Sequence, residues 1–277
     1  MAIGDANRIN TNLSALSALN SLKDVNNALQ ISQLRLSTGK RINEAADDPS
    51  GYSIATSFDQ RSRGLSVALD SVGTASNVLS IAEGSLNNIN QIILNMRDLV
   101  VSGASDTMGT TERTAINTQL TSLRAEIDRI AGQTTFNGTR LLDGTFTSKR
   151  FQTGDTETDY ISFGISSNFL AGSIGLANVS VGDSTAACNS LASVNSAITT
   201  VTGQVQNIGS TVQRLRLVEN NLTVAITNTT AAKSRILDAD VAKEQVESTR
   251  LQIMRQLATA QLAQSNVAPQ NVLSLFR

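Results

Sequence analysis

Residues Ala18, Leu22, Val25, Leu29, Ser32 and Leu36 succeed one another at alternating steps of four and three. The same rhythm runs through Ala68, Val72, Ala75, Leu79, Ala82, Leu86, Ile89, Ile93, Met96 and Val100, and returns at Ile116, Leu120, Leu123, Ile127 and Ile130. A fourth run passes Leu191, Val194, Ile198, Val201, Val205, Ile208, Val212 and Leu215. It then continues in a shifted phase through Val218, Leu222, Ala225, Thr229, Ala232 and Ile236. One apolar seam recurring at this spacing is the pattern of helices packed on helices. Two successive steps of three meet at Leu215, a stammer inside one helix of about fifty residues, or about 75 Å at the standard rise.

The middle of the chain, "TTFNGTRLLDGTFTSKRFQTGDTETDYISFGISSNFLAGSIGLANVSVGD", follows another rule. It is rich in Gly, Thr, Ser and Asn and holds short alternating runs such as Arg150-Phe151-Gln152-Thr153 and Tyr160-Ile161-Ser162-Phe163. These are hairpin signals, with "TGD" as the expected tight turn. Gly39 and the Asp48-Pro49 step interrupt the first helical phase, because proline excludes the α conformation from its predecessor. "RILDADVAKEQ" loses the seam near the other end. The pattern therefore predicts a mainly α chain: a long antiparallel helical-bundle or coiled-coil rod, a small β-hairpin tip that reverses the chain, and terminal coiled-coil arms. The expected divisions are an N-terminal arm over 1–42, the outgoing rod with its β tip over 43–183, the returning rod helix over 184–236, and a C-terminal arm over 237–277.

Composition narrows the function. The chain has no His, no Trp and 3% aromatic residues, so an aromatic-centred enzyme core is not expected. A formal net charge of -1 argues against nucleic acid as partner. The single Cys188 allows no internal disulfide framework and is read as an incidental thiol. No cleavable signal peptide is expected at "MAIGDANRIN", and no apolar run long enough to span a bilayer. Most catalytic constellations need His or a nucleophilic Cys, so no enzyme activity, cofactor or metal is expected. Asp47-Asp48 is read as a helix break with capping carboxylates. Asp238, Asp240, Glu244 and Glu247 are read as solvated partners of Lys243 and Arg250. The Asn-x-Ser/Thr triplets, such as that at Asn137, follow from composition. What composition leaves unexplained is the apolar ending, where Val272, Leu273, Leu275 and Phe276 crowd the last six positions.

Several segments together carry a resemblance. "RINTNLSALSALNSL", "LRLSTGKRINEAADDPSGYSIA", "AEGSLNNINQIILNMRDL", "EIDRIAGQTTFNGTRLLDG", "SRILDAD" and "LAQSNVAPQNVLSLFR" are similar, in this order, to segments of bacterial flagellins. The similarity spans about residues 7–145 and 230–277, and it is to the short form, which has only inner core and rod domains. It implies a secreted protomer of the flagellar filament, the propeller of swimming motility, located outside the cell. Implied partners are further copies of the chain in a helical homopolymer, an export chaperone and the flagellar type III export apparatus, and the hook-associated junction and cap proteins. No nucleic-acid or membrane partner is implied. Each arm alone can bury only one narrow stripe, so both arms are expected to order on polymerisation. The expected polymerisation residues are Leu13, Leu16, Leu19, Leu22, Val25, Leu29, Leu251, Met254, Leu257, Leu262, Val272, Leu273, Leu275 and Phe276. Flagellins seen by the vertebrate innate receptor TLR5 carry a Gln-Arg pair before Arg-Glu-Leu, and an acid on the next helix. Here Arg97, Asp98 and Leu99 resemble the triplet, Leu94 and Asn95 replace the pair, and Gln119 replaces the acid. Arg97, Leu99 and Gln119 are thus the expected receptor face, and weak activation is expected.

Overall fold

The computed structural model describes residues 11–274, with side chains as far as Val267. Five helices form among them: α1 (Leu13–Thr38), α2 (Pro49–Gly103), α3 (Thr110–Gln133), α4 (Ser184–Leu237) and α5 (Val241–Ser274). The strands are short: β1 (Thr135–Phe136), β2 (Thr139–Arg140), β3 (Lys149–Gln152) and β4 (Tyr160–Phe163). The seams read from the sequence are thus helices, and the expected fifty-residue helix is α4, at 54 residues.

Local chemistry sets the helix ends. Asn12 Oδ1 accepts the Ala15 N–H at 3.0 Å and starts α1, while Gly39 stops it in the left-handed conformation at φ 68°. Asp48 Oδ1 accepts the Gly51 N–H at 2.9 Å, and Pro49 stands at the first helical position of α2, where its missing N–H costs nothing. Asp47 Oδ2 accepts the N–H groups of Asn43 and Glu44 at 2.9 and 3.1 Å. The two acids therefore organise the break, as expected. A Cβ on Gly51 would stand 2.4 Å from Asp48 Oδ2 and 2.8 Å from Ile42 Cδ1, so a side chain there would have to push the capping carboxylate and Ile42 aside.

The chain forms two compact units, one made of the described residues up to Gln60 with Thr229 onward, the other of Arg61–Asn228. In the second unit, Leu79, Leu86, Ile93, Leu120, Ile127, Val201 and Leu215 from α2, α3 and α4 belong to one continuous buried core. The stretch 164–183 has no regular structure, yet Phe169, Leu176 and Val181 are buried in that core. Side chains of α3 satisfy its backbone: Asp128 Oδ1 accepts the Ala171 N–H, Arg124 donates to the Ala177 carbonyl, and Asn117 Oδ1 accepts the Val181 N–H. The segment runs antiparallel to α3 and delivers Ser184, whose Oγ donates to the Ala104 carbonyl at 3.1 Å.

Three expectations need correcting here. The β material does not sit where the chain reverses. The reversal is the turn between α2 and α3, braced by buried Arg113, which donates to the carbonyls of Gly103 at 2.5 Å, Ser105 at 2.8 Å and Met108 at 3.4 Å. Helix α3 carries the chain back before the strands begin, so the β3–β4 loop lies along α2: Arg61 Nε is 3.8 Å from Asp155 Oδ2. That is about 60 Å of helix away from Gly103. Next, "TGD" is not a tight turn. Gln152 pairs with Tyr160, and the intervening loop is closed by Thr153 N–H to Asp159 O at 2.8 Å and by the Gln152 amide donating to Gly154 and Thr156 carbonyls. The tight hairpin is β1–β2, turning on Asn137 and Gly138 at φ 48° and 77°. Finally, α2 does contain an 18-residue window apolar enough for a membrane span, at mean hydropathy 1.3. Part of that helix, the seam from Leu79 to Val100, is buried in the core of the second unit, and 39% of the apolar window is buried.

Candidate functional site

In the first unit, α1 and α5 pack against each other as an antiparallel pair. Between them lie Ala18, Leu29 and Ser32 of α1 and Ser248, Leu251 and Ser265 of α5, all buried. Leu22, Val25, Leu36, Ala258 and Leu262 are half-buried beside them. Polar contacts fasten both ends of the pair. Asn12 Nδ2 donates to the Ser265 carbonyl at 2.8 Å, and Ser32 Oγ to the Glu244 carbonyl at 3.4 Å, with Arg35 Nη1 4.0 Å from Glu244 Oε1. Where the helices meet their connections, Arg41 N–H donates to Leu237 O at 2.6 Å and Ala239 N–H to Gly39 O at 2.9 Å. The Arg41 guanidinium adds a bond to Ile236 O at 2.8 Å. The ends of the two helices are therefore clasped through their backbones.

Each helix carries a second apolar stripe. Leu13, Leu16, Ile31 and Leu34 are exposed on α1. At about 100° per residue they cluster on the side opposite the buried seam. Val246, Ile253 and Leu257 do the same on α5, with Val246 70% and Leu257 64% exposed. Leu19, Met254, Val241 and Val267 are exposed beside these stripes. Singly exposed apolar residues are ordinary, but here they gather on one side of each helix, on α1 as two patches parted by Asn20, Lys23, Asp24 and Asn27, and such grouping makes that side a candidate interaction surface.

The expected polymerisation residues thus divide. Leu22, Val25, Leu29, Leu251 and Leu262 belong to the seam inside the pair, while Leu13, Leu16, Leu19, Met254 and Leu257 face outward. Leu275 and Phe276 lie outside the described residues, and Val272 and Leu273 lie where only the backbone is described. Ile31, Leu34, Val246 and Ile253 were not anticipated. Their signal was present as the three-residue step 31–34 and the seven-residue step 246–253, but polar neighbours separate them.

Of the expected receptor face, Leu99 and Gln119 come together with Thr118, Ser122 and Leu123 around a shallow groove of about 310 Å³ between α2 and α3. Arg97, two residues before Leu99 on α2, is exposed and does not line that groove. The acids near α5 are not uniformly solvated ion pairs. Glu247 does pair with Arg250, at 2.5 Å, but Asp240 caps α5 through the Lys243 N–H at 3.1 Å and Glu244 faces Arg35 across the seam. Cys188 is exposed. No cluster of three metal-ligating side chains occurs among the described residues.

Helices that hide one apolar stripe in each other and present a second on the far side define a structural protein of the self-associating class. The comparisons narrow the class. Residues 9–147 match the family model of the bacterial flagellin N-terminal helical region, and residues 191–276 that of the C-terminal helical region. Flagellin from Bacillus subtilis (strain 168) is 35% identical over 98% of this chain and 100% of its own length. The flagellar filament 33 kDa core protein of Treponema phagedenis is 34% identical over 97% of this chain and 99% of its own. Among solved structures, a Vibrio parahaemolyticus chain assigned as a flagellar hook-associated protein shares the fold, with TM-score 0.59 over 69% of this chain and 100% of that chain, at 14% identity. The chain belongs to the bacterial flagellin family and is a structural subunit of the flagellar filament.

Proposed function

We propose that this subunit polymerises through the outward stripes of α1 and α5, and that the two helices complete their folding as neighbouring copies cover them. The observation that carries this is the contrast between the two units. The second has a closed core from Leu65 to Leu222, whereas the buried apolar side chains among the described residues of the first are Ala18, Leu29 and Leu251 in the α1–α5 seam with Ile42 and Ala55 near the elbow. Ordering a residue costs about 1–2 kcal/mol in backbone entropy, and a seam that narrow leaves the pair dependent on further burial. Helical polymers need contacts that repeat without closing, and stripes facing away from the internal seam can supply them.

In this reading, 1–42 and 237–277 are the arms of an inner core domain, and 43–183 with 184–236 belong to a rod domain. The subunit passes the type III export apparatus with the help of an export chaperone, emerges outside the cell, and joins hook-associated and cap proteins at the filament's ends. Recognition by TLR5 is weak, because Gln119 at the Leu99 groove offers no charge to pair with a guanidinium. A junction role in place of the filament role is less well supported. The whole-length relatives are a flagellin and a filament core protein, and the hook-associated likeness rests on 14% identity.

The test is polymerisation of the purified chain, followed by high-speed pelleting and electron microscopy. Full-length protein is expected to sediment as long helical fibres. A truncation removing residues from Ala268 onward is expected to keep the melting transition of the second unit and to stay in the supernatant. Normal fibres from the truncated chain would defeat the assignment.

A further inference from the structure

Helix α5 runs from Val241 to Ser274 and so passes through Pro269. Proline has no backbone N–H, and inside a helix it leaves the carbonyl four residues earlier without its helical donor. Here that carbonyl belongs to Ser265, which is buried against α1. A buried carbonyl without a donor is costly, so native chains find it a partner. The partner is on α1: Asn12 Nδ2 donates to Ser265 O at 2.8 Å. The same carboxamide uses Oδ1 to accept the Ala15 N–H at 3.0 Å, filling one of the donors that the first turn of α1 leaves open.

We propose that Asn12 is the residue that holds the start of α1 in register with the C-terminal part of α5, at the far end of the pair from the backbone bonds of Gly39 and Arg41. One side chain repairs two defects at once, the open start of α1 and the gap that Pro269 makes in α5, and it can do both in one register only. The apolar seam cannot supply that discrimination. Its members are mostly Ala, Ser, Leu and Val at near-heptad spacing, so a slip at this end of the pair, away from the Arg35–Glu244 contact and the backbone bonds of Gly39 and Arg41, still sets small and aliphatic side chains opposite each other. Such a slip moves Asn12 off Ser265 and leaves the carbonyl bare. The far contact agrees with the alignment: Ser32 reaches Glu244, 20 residues along α1 and 21 residues back along α5 from the Asn12–Ser265 contact. Asn12 is thus a positioning residue for the surface from which the filament is built, and the outward stripes keep their mutual stagger only while this alignment holds.

The proposal rests on the filament reading for its assay, and a double-mutant cycle in the full chain tests it. Aspartate caps a helix as well as asparagine does, so Asn12→Asp keeps the start of α1 and removes only the donor. Pro269→Ala restores the N–H that Ser265 O lacks. The critical concentration for polymerisation is measured for wild type, each single variant and the pair. Asn12→Asp is expected to raise it about tenfold in the proline-containing chain, as for a buried acceptor left unpaired, and by less than about twofold when Pro269→Ala is present. An equal rise in both backgrounds, or no rise in either, overturns the proposal. Should the wild type fail to form fibres, the filament reading falls instead. The same cycle is then read from helix content on heating the full chain, where an equal loss in both backgrounds again overturns the proposal.

Discussion

Leu257 offers a direct measure of what the outward stripe contributes. It is 64% exposed, so the chain's own packing shields only about a third of it. Fully burying a leucine is worth about 1.5–3 kcal/mol, and assembly can recover roughly two-thirds of that, or about 1–2 kcal/mol. Alanine is the better helix former, so Leu257→Ala does not weaken α5 by itself. The critical concentration should therefore rise about five- to thirtyfold, at 1.4 kcal/mol per decade. Quantifying soluble protein after pelleting, across a series of total concentrations, gives that number. The melting transition of Arg61–Asn228 serves as control and should not move, because Leu257 lies outside that unit. Leu251→Ala is the informative contrast. Leu251 is 6% exposed within the chain, so its truncation should cost about 2–5 kcal/mol in the α1–α5 seam and lower helix content as well as assembly. Wild-type critical concentration for Leu257→Ala would refute the claim that this face is covered in the filament.

Arg113→Met keeps the aliphatic bulk but strips the α2–α3 turn of its brace. Two short bonds from a charged donor are lost, about 3 kcal/mol or more, which in a unit of this size lowers Tm by about 6–12 °C; an unchanged Tm by circular dichroism would refute the role. Acid should loosen the elbow. The N–H groups of Asn43 and then Glu44, aided by the Arg35 charge, hold the Asp47 carboxyl below its ordinary 3.8. With the folded value depressed, its contribution is full above 3.8 and fades as pH falls through the folded value, so wild-type filaments should shed subunits in that range. Asp47→Asn filaments should show a flatter profile there by pelleting, and identical acid profiles would count against this account. Finally, a reporter-cell assay should give weak TLR5 activation, and Gln119→Glu should raise it; potency equal to a strongly recognised flagellin would contradict the reading.

How far the fold was legible follows from what kind of interaction holds each part. The seams of α2, α3 and α4 were plain because burial repeats with the helix, so Leu79, Leu86 and Ile93 announce their neighbours by spacing alone. The elbow was plain too, since Gly39 and Pro49 act through their own backbones. What stayed hidden were contacts to carbonyls. Arg113, Arg124 and Asn12 each reach main-chain oxygens, which every residue has, so no partner type marks the sequence. The Asn137-Gly138 hairpin is legible in its turn chemistry, although the turn expected from the sequence was "TGD". The placement of the strands beside α2 depended on Arg113 making the reversal, and it was lost for the same reason.

The two-faced character of α1 and α5 was only half legible, and the half that was missed is the functional one. A single seam every three or four residues suffices to predict a pair of helices, and a pair is all that such a pattern demands. A second stripe on the opposite side cannot be met by the same partner, because two cylinders touch along one line only. The other helical segments of the first unit, the start of α2 up to Gln60 and the end of α4 from Thr229, leave Leu13, Leu16, Ile31, Leu34, Ile253 and Leu257 exposed. On the proposed function, helices of neighbouring copies bury both outward faces. In the proposed assembly the copies supply those helices, and each added subunit again presents uncovered apolar patches to the next.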